Sequence, residues 1–284
     1  MSDTPSLIDI GKLSEPATKL IEKISDGIGG VCAPWQVRRM ARADAEAAIV
    51  KAGSDIEVDE LKKRALARFI DEEARKQENI EEITAKAIPL LEAGAQPENI
   101  DNDWIVNFFD KSRIISDQQM QELWARILAG EANRSGSFSR KTINRMSDIE
   151  KADADMFSDL CRFKWSIGKN SRALTLVLDV ENEIYKNNEI LFGRLGHLET
   201  VGLIKFDSHG GFTLQNLGKP VKATYFGKEL ILDSEIDEEN RLPIGEVVLT
   251  VAGMELAQVC TAEPVDGFFE YVEAFWKKGS SDSA

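Results

Sequence analysis

Residues 120–139 read MQELWARILAGEANRSGSFS, with apolar side chains at Met120, Leu123, Trp124, Ile127 and Leu128. The spacing i, i+3, i+4, i+7, i+8 predicts a helix with one buried stripe. A stripe containing tryptophan must lie against other apolar surface, so the chain has to supply partner helices around it. Ser116 is the expected N-cap, with Gln119 three residues on as its capping-box partner. Gly130 weakens the helix near its end, and 133–137 reads as a polar loop. Ser139 is placed to cap a short helix over 139–146, with Phe138 stapled onto Ile143. All of this is scaffold chemistry.

The partners are legible upstream. Ser14-Glu15-Pro16 marks a helix start, and Leu13, Ala17, Leu20, Ile21, Ile24 and Ile28 repeat at helical period. The glycines and proline of 27–34 end that helix in a close-packed turn. Residues 35–52 predict an alanine-rich charged helix bearing Arg38, Arg39 and Arg42. Two further helices are expected, at 58–75 behind a capping box at 54–57 and from 79 to about 88. These mixed-charge helices suit pairing with one another or with a second copy. Trp104, Ile105, Phe108 and Phe109 form another helical stripe, with Trp104 and Trp124 expected as core anchors. A third box, Ser147 to Glu150, opens a helix that buries Phe157, Leu160 and Cys161.

Beyond about residue 165 the period changes. Residues 173–180, ALTLVLDV, read as a strand. Residues 187–202 read as a helix, 203–206 as a strand, 207–211 as a turn and 212–214 as its return strand. This is the pattern of a winged helix. Residues 223–232 and 246–249 read as strands, 254–259 as a short helix, and 268–276 as a last amphipathic helix. The expected fold is α+β: a disordered start over 1–13, a helical domain over 14–165, a winged-helix-like α/β domain over 166–278 and a disordered tail over 279–284.

The balance of charge narrows function. A formal net charge of −14 argues against coating nucleic acid with the whole surface, because phosphate binding needs a positive footprint, although a local patch suffices. The three cysteines, Cys32, Cys161 and Cys260, lie far apart with no CxxC pair, which fits a reducing cytoplasmic setting. No signal peptide and no apolar run long enough to span a bilayer is read. No Walker A sequence, G-x-G-x-x-G or G-x-S-x-G is present, and neither His197 nor His209 has a metal ligand at the right spacing. The expectation is therefore no catalytic residue, no cofactor and no metal. Asp101/Asp103 and Asp153/Asp155 sit at helix starts, where they serve as caps.

The words LWARILAGE (123–131), GSFS (136–139) and LTVAGMEL (249–256) resemble the bacterial family catalogued as domain of unknown function 2806. IPLLEAG (88–94) followed by ELWARILAGE is similar to the abortive-infection alpha group. The resemblance implies relatives in prophages and phage-defence regions, and assigns no catalytic residue.

Three basic groups are the interaction candidates. Arg38, Arg39 and Arg42 form one; Arg134, Arg140, Lys141 and Arg145 form a second around the GSFS loop. A solvated face is the simpler reading of each, and contact with a phosphate or an acidic partner the sharper one. Lys186, Asn187, Asn188, Arg194 and Lys205 would be the DNA contacts of a winged helix, with Glu189, Glu199 and Asp207 against them. The leading expectation is a non-enzymatic, self-associating interaction protein linked to phage defence. A DNA-binding regulator is the alternative, and a membrane-acting effector using residues 14–31 as an interfacial helix is another.

Overall fold

The computed structural model describes residues 13–30, 32, 60–168, 172–233 and 241–281. The helix expected at 35–52, with Arg38, Arg39 and Arg42, lies outside the described residues, as do the capping box at 54–57 and the segment 1–12. The chain is α+β and divides into two units, Met1–Ser147 and Asp148–Ala284.

The first unit is helical. α1 (Glu15–Ile28) is capped by the Ser14 hydroxyl, which accepts the Ala17 N–H, and ends at Gly29 in the left-handed region. Its apolar face, Ala17, Leu20, Ile21 and Ile24, is buried against α3 (Asn102–Ser112). Gly27 permits the approach: a Cβ there would meet Ile105 Cγ2 at 2.5 Å. The stripe considered for a membrane surface is thus part of a protein core. α2 (Glu60–Ala87) is one continuous helix where two were expected. Residues 76–79 contain no glycine or proline to break it, and Asn79 donates its side-chain amide to Arg113 O instead of capping a new start. The C-terminal part of α2 buries Ile80, Ile83, Thr84 and Ala87 against α4 (Gln118–Asn133).

α4 is the predicted striped helix, with Met120, Trp124, Ile127 and Leu128 buried. Its cap is Asp117, one residue beyond the expected Ser116; the carboxylate accepts the Gln119 and Met120 N–H groups. Trp104 stacks on Phe108 (centroids 5.0 Å apart), which meets Trp124 edge-on at 5.2 Å. Each fully buried aliphatic or aromatic side chain contributes about 1.5–3 kcal/mol. α5 (Arg140–Met146) packs on α3 and is capped by Ser139, as expected.

The second unit begins with α6 (Lys151–Cys161). Its N-cap is Glu150 and not Ser147, with Asp153 Oδ2 accepting the Glu150 N–H. β1 (Lys164–Ile167) and β2 (Arg172–Thr175) join a four-stranded antiparallel sheet ordered β2-β1-β5-β6. The strand expected at 223–232 is a hairpin, β5 (Val221–Tyr225) and β6 (Lys228–Leu232), turned by Phe226 and Gly227, both at positive φ. The helix expected at 187–202 starts later. α7 (Glu183–Lys186) ends in a turn with Glu189 at φ 62°, and α8 spans Phe192–Val201. Asn187 and Asn188 therefore lie in a turn.

β3 (Ile204–Phe206) and β4 (Phe212–Leu214) do not pair as the predicted return. β3 pairs with β8 (Val247–Leu249), and β4 with β7 (Leu242–Gly245). The turn at 207–211 is instead an excursion in one arm of a ribbon, stabilised by Asp207 Oδ1, which accepts the His209 and Gly210 N–H groups. α9 (Val251–Leu256) follows, capped by Thr250. α10 (Phe268–Ser281) extends past the expected end and buries Phe268, Val272 and Trp276. Trp165, stacked on Tyr225 and edge-on to Trp276, centres this core.

Candidate interaction site

The α4–loop–α5 element is built from a buried carboxylate outward. Glu131, in the last turn of α4, is 3% exposed. Its two oxygens accept the N–H groups of Gly136 (2.6 Å) and Phe138 (2.9 Å). Gly136 sits at φ 84°, which bends the loop back over the helix end. Trp104 Nε1 donates to Phe138 O at 2.6 Å, and Ser135 Oγ to Asn99 O at 2.9 Å. Asn133 fastens the upstream segment to the same helix end. Its Oδ1 accepts the Glu92 N–H (2.9 Å) and its Nδ2 donates to Leu90 O (3.1 Å). The sequence words 88–94, 123–131 and 136–139 are therefore one hydrogen-bonded construction.

That construction presents a cationic face. α5 buries Thr142, Ile143 and Met146 and exposes Arg140, Lys141, Asn144 and Arg145. Those positions run i, i+1, i+4, i+5, one side of a helix. Arg140 meets Asp103 at 3.5 Å, with both side chains largely exposed, a pair of little energetic weight. Lys141 and Arg145 make no ion pair among the described residues. Arg134 is exposed in the loop, its Nε donating to Ser137 Oγ. All four residues of this predicted group thus fall on one loop–helix element.

The other predicted group is dispersed and engaged. Lys186 pairs with Glu181 at 2.9 Å, and that hydrogen bond raises its pKa. Asn188 donates to Ile184 O, and Asn187 caps the end of α7. Arg194 bridges Asp159 of α6 at 2.9 Å and Glu189 at 3.3 Å. Beside it on α8, His197 Nε2 lies 2.6 Å from Asp153 Oδ1, a buried carboxylate. Lys205 is exposed on β3. The outer surface at the start of α8 carries the exposed Leu191 and Phe192 and two glycines, Gly193 and Gly196. Residues 148–284 hold 24 Asp and Glu against 14 Lys and Arg, a net charge of −10.

Two arrangements were not legible in sequence. Glu246 lies against a shallow hollow of 230 Å³ shared with His209, Phe212 and Phe275. Burial, reinforced by Asp179, Glu181 and Asp207, holds its pKa above the usual value. Cys161 and Cys260 are brought side by side. Neither has a local spacing signal, because both depend on the sheet and ribbon closing. Among the described residues no cluster of His, Cys, Asp and Glu could hold a metal ion, and no helix is long and apolar enough to cross a membrane.

The architecture is that of an α+β protein with a helix-capped, cation-bearing loop element. The chain belongs to the family described as "Protein of unknown function (DUF2806)", whose model matches residues 63–273. No curated protein and no solved structure matches it.

Proposed function

We propose that this protein is a non-enzymatic interaction and assembly factor that binds an acidic protein surface through Arg140, Lys141 and Arg145, with Arg134 beside them. The observation that carries the reading is the outward cationic face of α5, held on a loop that a buried carboxylate fixes in place. On a chain with a net charge of −14, long-range attraction to acidic partners is absent, so a local cluster has to provide it. A second copy offers such a surface in residues 148–284, and homo-oligomerisation is the form of assembly we infer first. The similarity of residues 88–94 and 123–131 to the abortive-infection alpha group supports a phage-defence setting in the bacterial cytoplasm.

In the finer fold reading, α7, α8, β3 and β8 form a winged-helix-like unit with β4–β7 inserted at its wing. We assign it to docking and not to DNA reading. Arg194 and Lys186 already have carboxylate partners, and the start of α8 presents Leu191 and Phe192. No observation favours the membrane reading, since the apolar face of α1 is buried.

The test is light scattering on the full-length protein and on an R140E/K141E/R145E variant, with and without duplex DNA, across a salt series. A defined oligomer that dissociates at high salt and in the variant, and that ignores DNA, is the expected result. A monomer at all concentrations, or a mass shift with DNA lost steeply as salt rises, overturns the reading.

A further inference from the structure

The C-terminal unit brings together two thiols from opposite ends of its sequence. α6 carries Ser158 and Cys161 one turn apart on the same face. The segment that leaves α9 crosses this face, where Cys260 Sγ donates to Ser158 Oγ at 3.5 Å. Ser158 is one turn along α6 from Cys161, so this contact sets the Cys260 sulfur beside the Cys161 thiol. Lys164 holds the start of that segment, its Nζ donating to Ala257 O at 2.9 Å. The two sulfurs differ in access: Cys161 is fully buried, whereas Cys260 is partly exposed. Cys32, the remaining cysteine, is buried in the first unit and hydrogen-bonded to Thr84 Oγ1, with burial pushing its thiol up to about 12.

We propose that Cys161 and Cys260 are a reversible dithiol–disulfide couple, oxidised by hydrogen peroxide, with Cys260 as the sulfur that meets the oxidant and Cys161 as the resolving one. Access sets the order, because oxidation follows exposure as well as thiolate character. Cys260 sulfur attacks one peroxide oxygen and the O–O bond breaks. The departing hydroxide takes the thiol proton and leaves as water, giving a sulfenic acid. Cys161 sulfur then attacks the Cys260 sulfur; the S–O bond breaks, and the departing hydroxide takes the Cys161 proton as a second water. Two thiols lose two electrons in total, and one peroxide becomes two waters. The neighbouring Cys260, and then burial, hold the Cys161 thiol above its usual pKa. The new bond would staple the segment after α9 onto α6, the helix on which α8 packs.

Peptide mapping decides the matter on the full-length protein. The folded chain is treated with one equivalent of hydrogen peroxide, alkylated under denaturing conditions, and digested without reductant. The expected result is a linked Cys161–Cys260 peptide that dithiothreitol separates, with Cys32 alkylated as the one remaining thiol. A C260S variant treated in the same way is expected to keep both of its thiols. Sulfinic acid at Cys260 beside an alkylated Cys161, a Cys260–Cys260 link between chains, or no loss of thiols at one equivalent each overturn the proposal.

Discussion

Helices α5 and α8 are both short, both carry cations, and treat them in opposite ways. On α8, Arg194 and His197 turn toward α6, where Asp159 and Asp153 wait for them. On α5, Thr142, Ile143 and Met146 turn inward, and Arg140, Lys141 and Arg145 remain outside. The difference is set by the neighbour. α3 packs against the buried side of α5, Ile143 and Met146, and offers its cations one exposed carboxylate, Asp103, which meets Arg140 and leaves Lys141 and Arg145 unclaimed. α6 offers α8 a carboxylate-lined flank, so the same residue types become internal ties. A basic side chain on a helix is available to an interface when the helix it packs on leaves it exposed and at most loosely paired.

The comparison rests first on the rigidity of the α5 platform, and the largest effects are expected there. Trp124→Ala removes a fully buried indole that meets Phe108, and should cost about 3–5 kcal/mol in denaturant unfolding. Glu131→Ala leaves the buried Phe138 amide, and the more accessible Gly136 amide, without their acceptor, a loss of about 1–3 kcal/mol. Glu131→Gln keeps one acceptor oxygen and should fall between the two proteins. If Glu131→Ala proves as stable as the parent, the loop is not held by the carboxylate and the α5 face is not pre-organised.

A smaller contrast separates the two helices themselves. Arg194→Ala breaks a partly buried tie to Asp159, worth up to about 1 kcal/mol. Lys141→Ala removes an unpaired exposed cation and should stay within about 0.5 kcal/mol of the parent. Matched chemical-unfolding curves check both. Equal losses at the two positions would erase the distinction between engaged and available cations.

How much of this was legible beforehand depends on range. The stripe at 120–128, the Ser139 cap and the α1 face were readable because helical period and capping are local. The break expected between residues 75 and 79 is absent, because a polar stretch without glycine or proline carries no stop signal and α2 runs through it. Phe212–Leu214 reads as the return strand of a local hairpin, but its partner, Leu242–Gly245, lies beyond a whole inserted hairpin. At the candidate site, the clustering of Arg134, Arg140, Lys141 and Arg145 was visible in sequence. The fate of Arg194 was not, because Asp159 is distant in the chain and becomes a neighbour only when α6 and α8 pack.

The smallest expected effect concerns the ribbon beside the shallow hollow, where acids crowd one another. Glu246 has its folded-state pKa raised, first by burial and then by Asp179, Glu181 and Asp207. An acid that holds its proton more tightly when folded is a liability once ionised, so its charge weakens the fold at neutral pH. That penalty is relieved as pH falls through the raised folded-state value, and the contribution becomes constant below the ordinary glutamate value of 4.5. Glu246→Gln keeps an oxygen for the Val180 N–H and removes the charge. The variant should therefore melt slightly above the parent at neutral pH, and the gap should close as the solution is acidified. Asp207 runs the other way: hydrogen bonds from the Gly210 and His209 amides hold its pKa down, so its stabilising effect is present at neutral pH and lost as pH falls through its folded-state value. Melting curves of Glu246→Gln and of Asp207→Asn across pH would separate the two. A Glu246→Gln gap that stays constant down to acid pH would mean that shape, and not the crowded charge, makes the difference at this position.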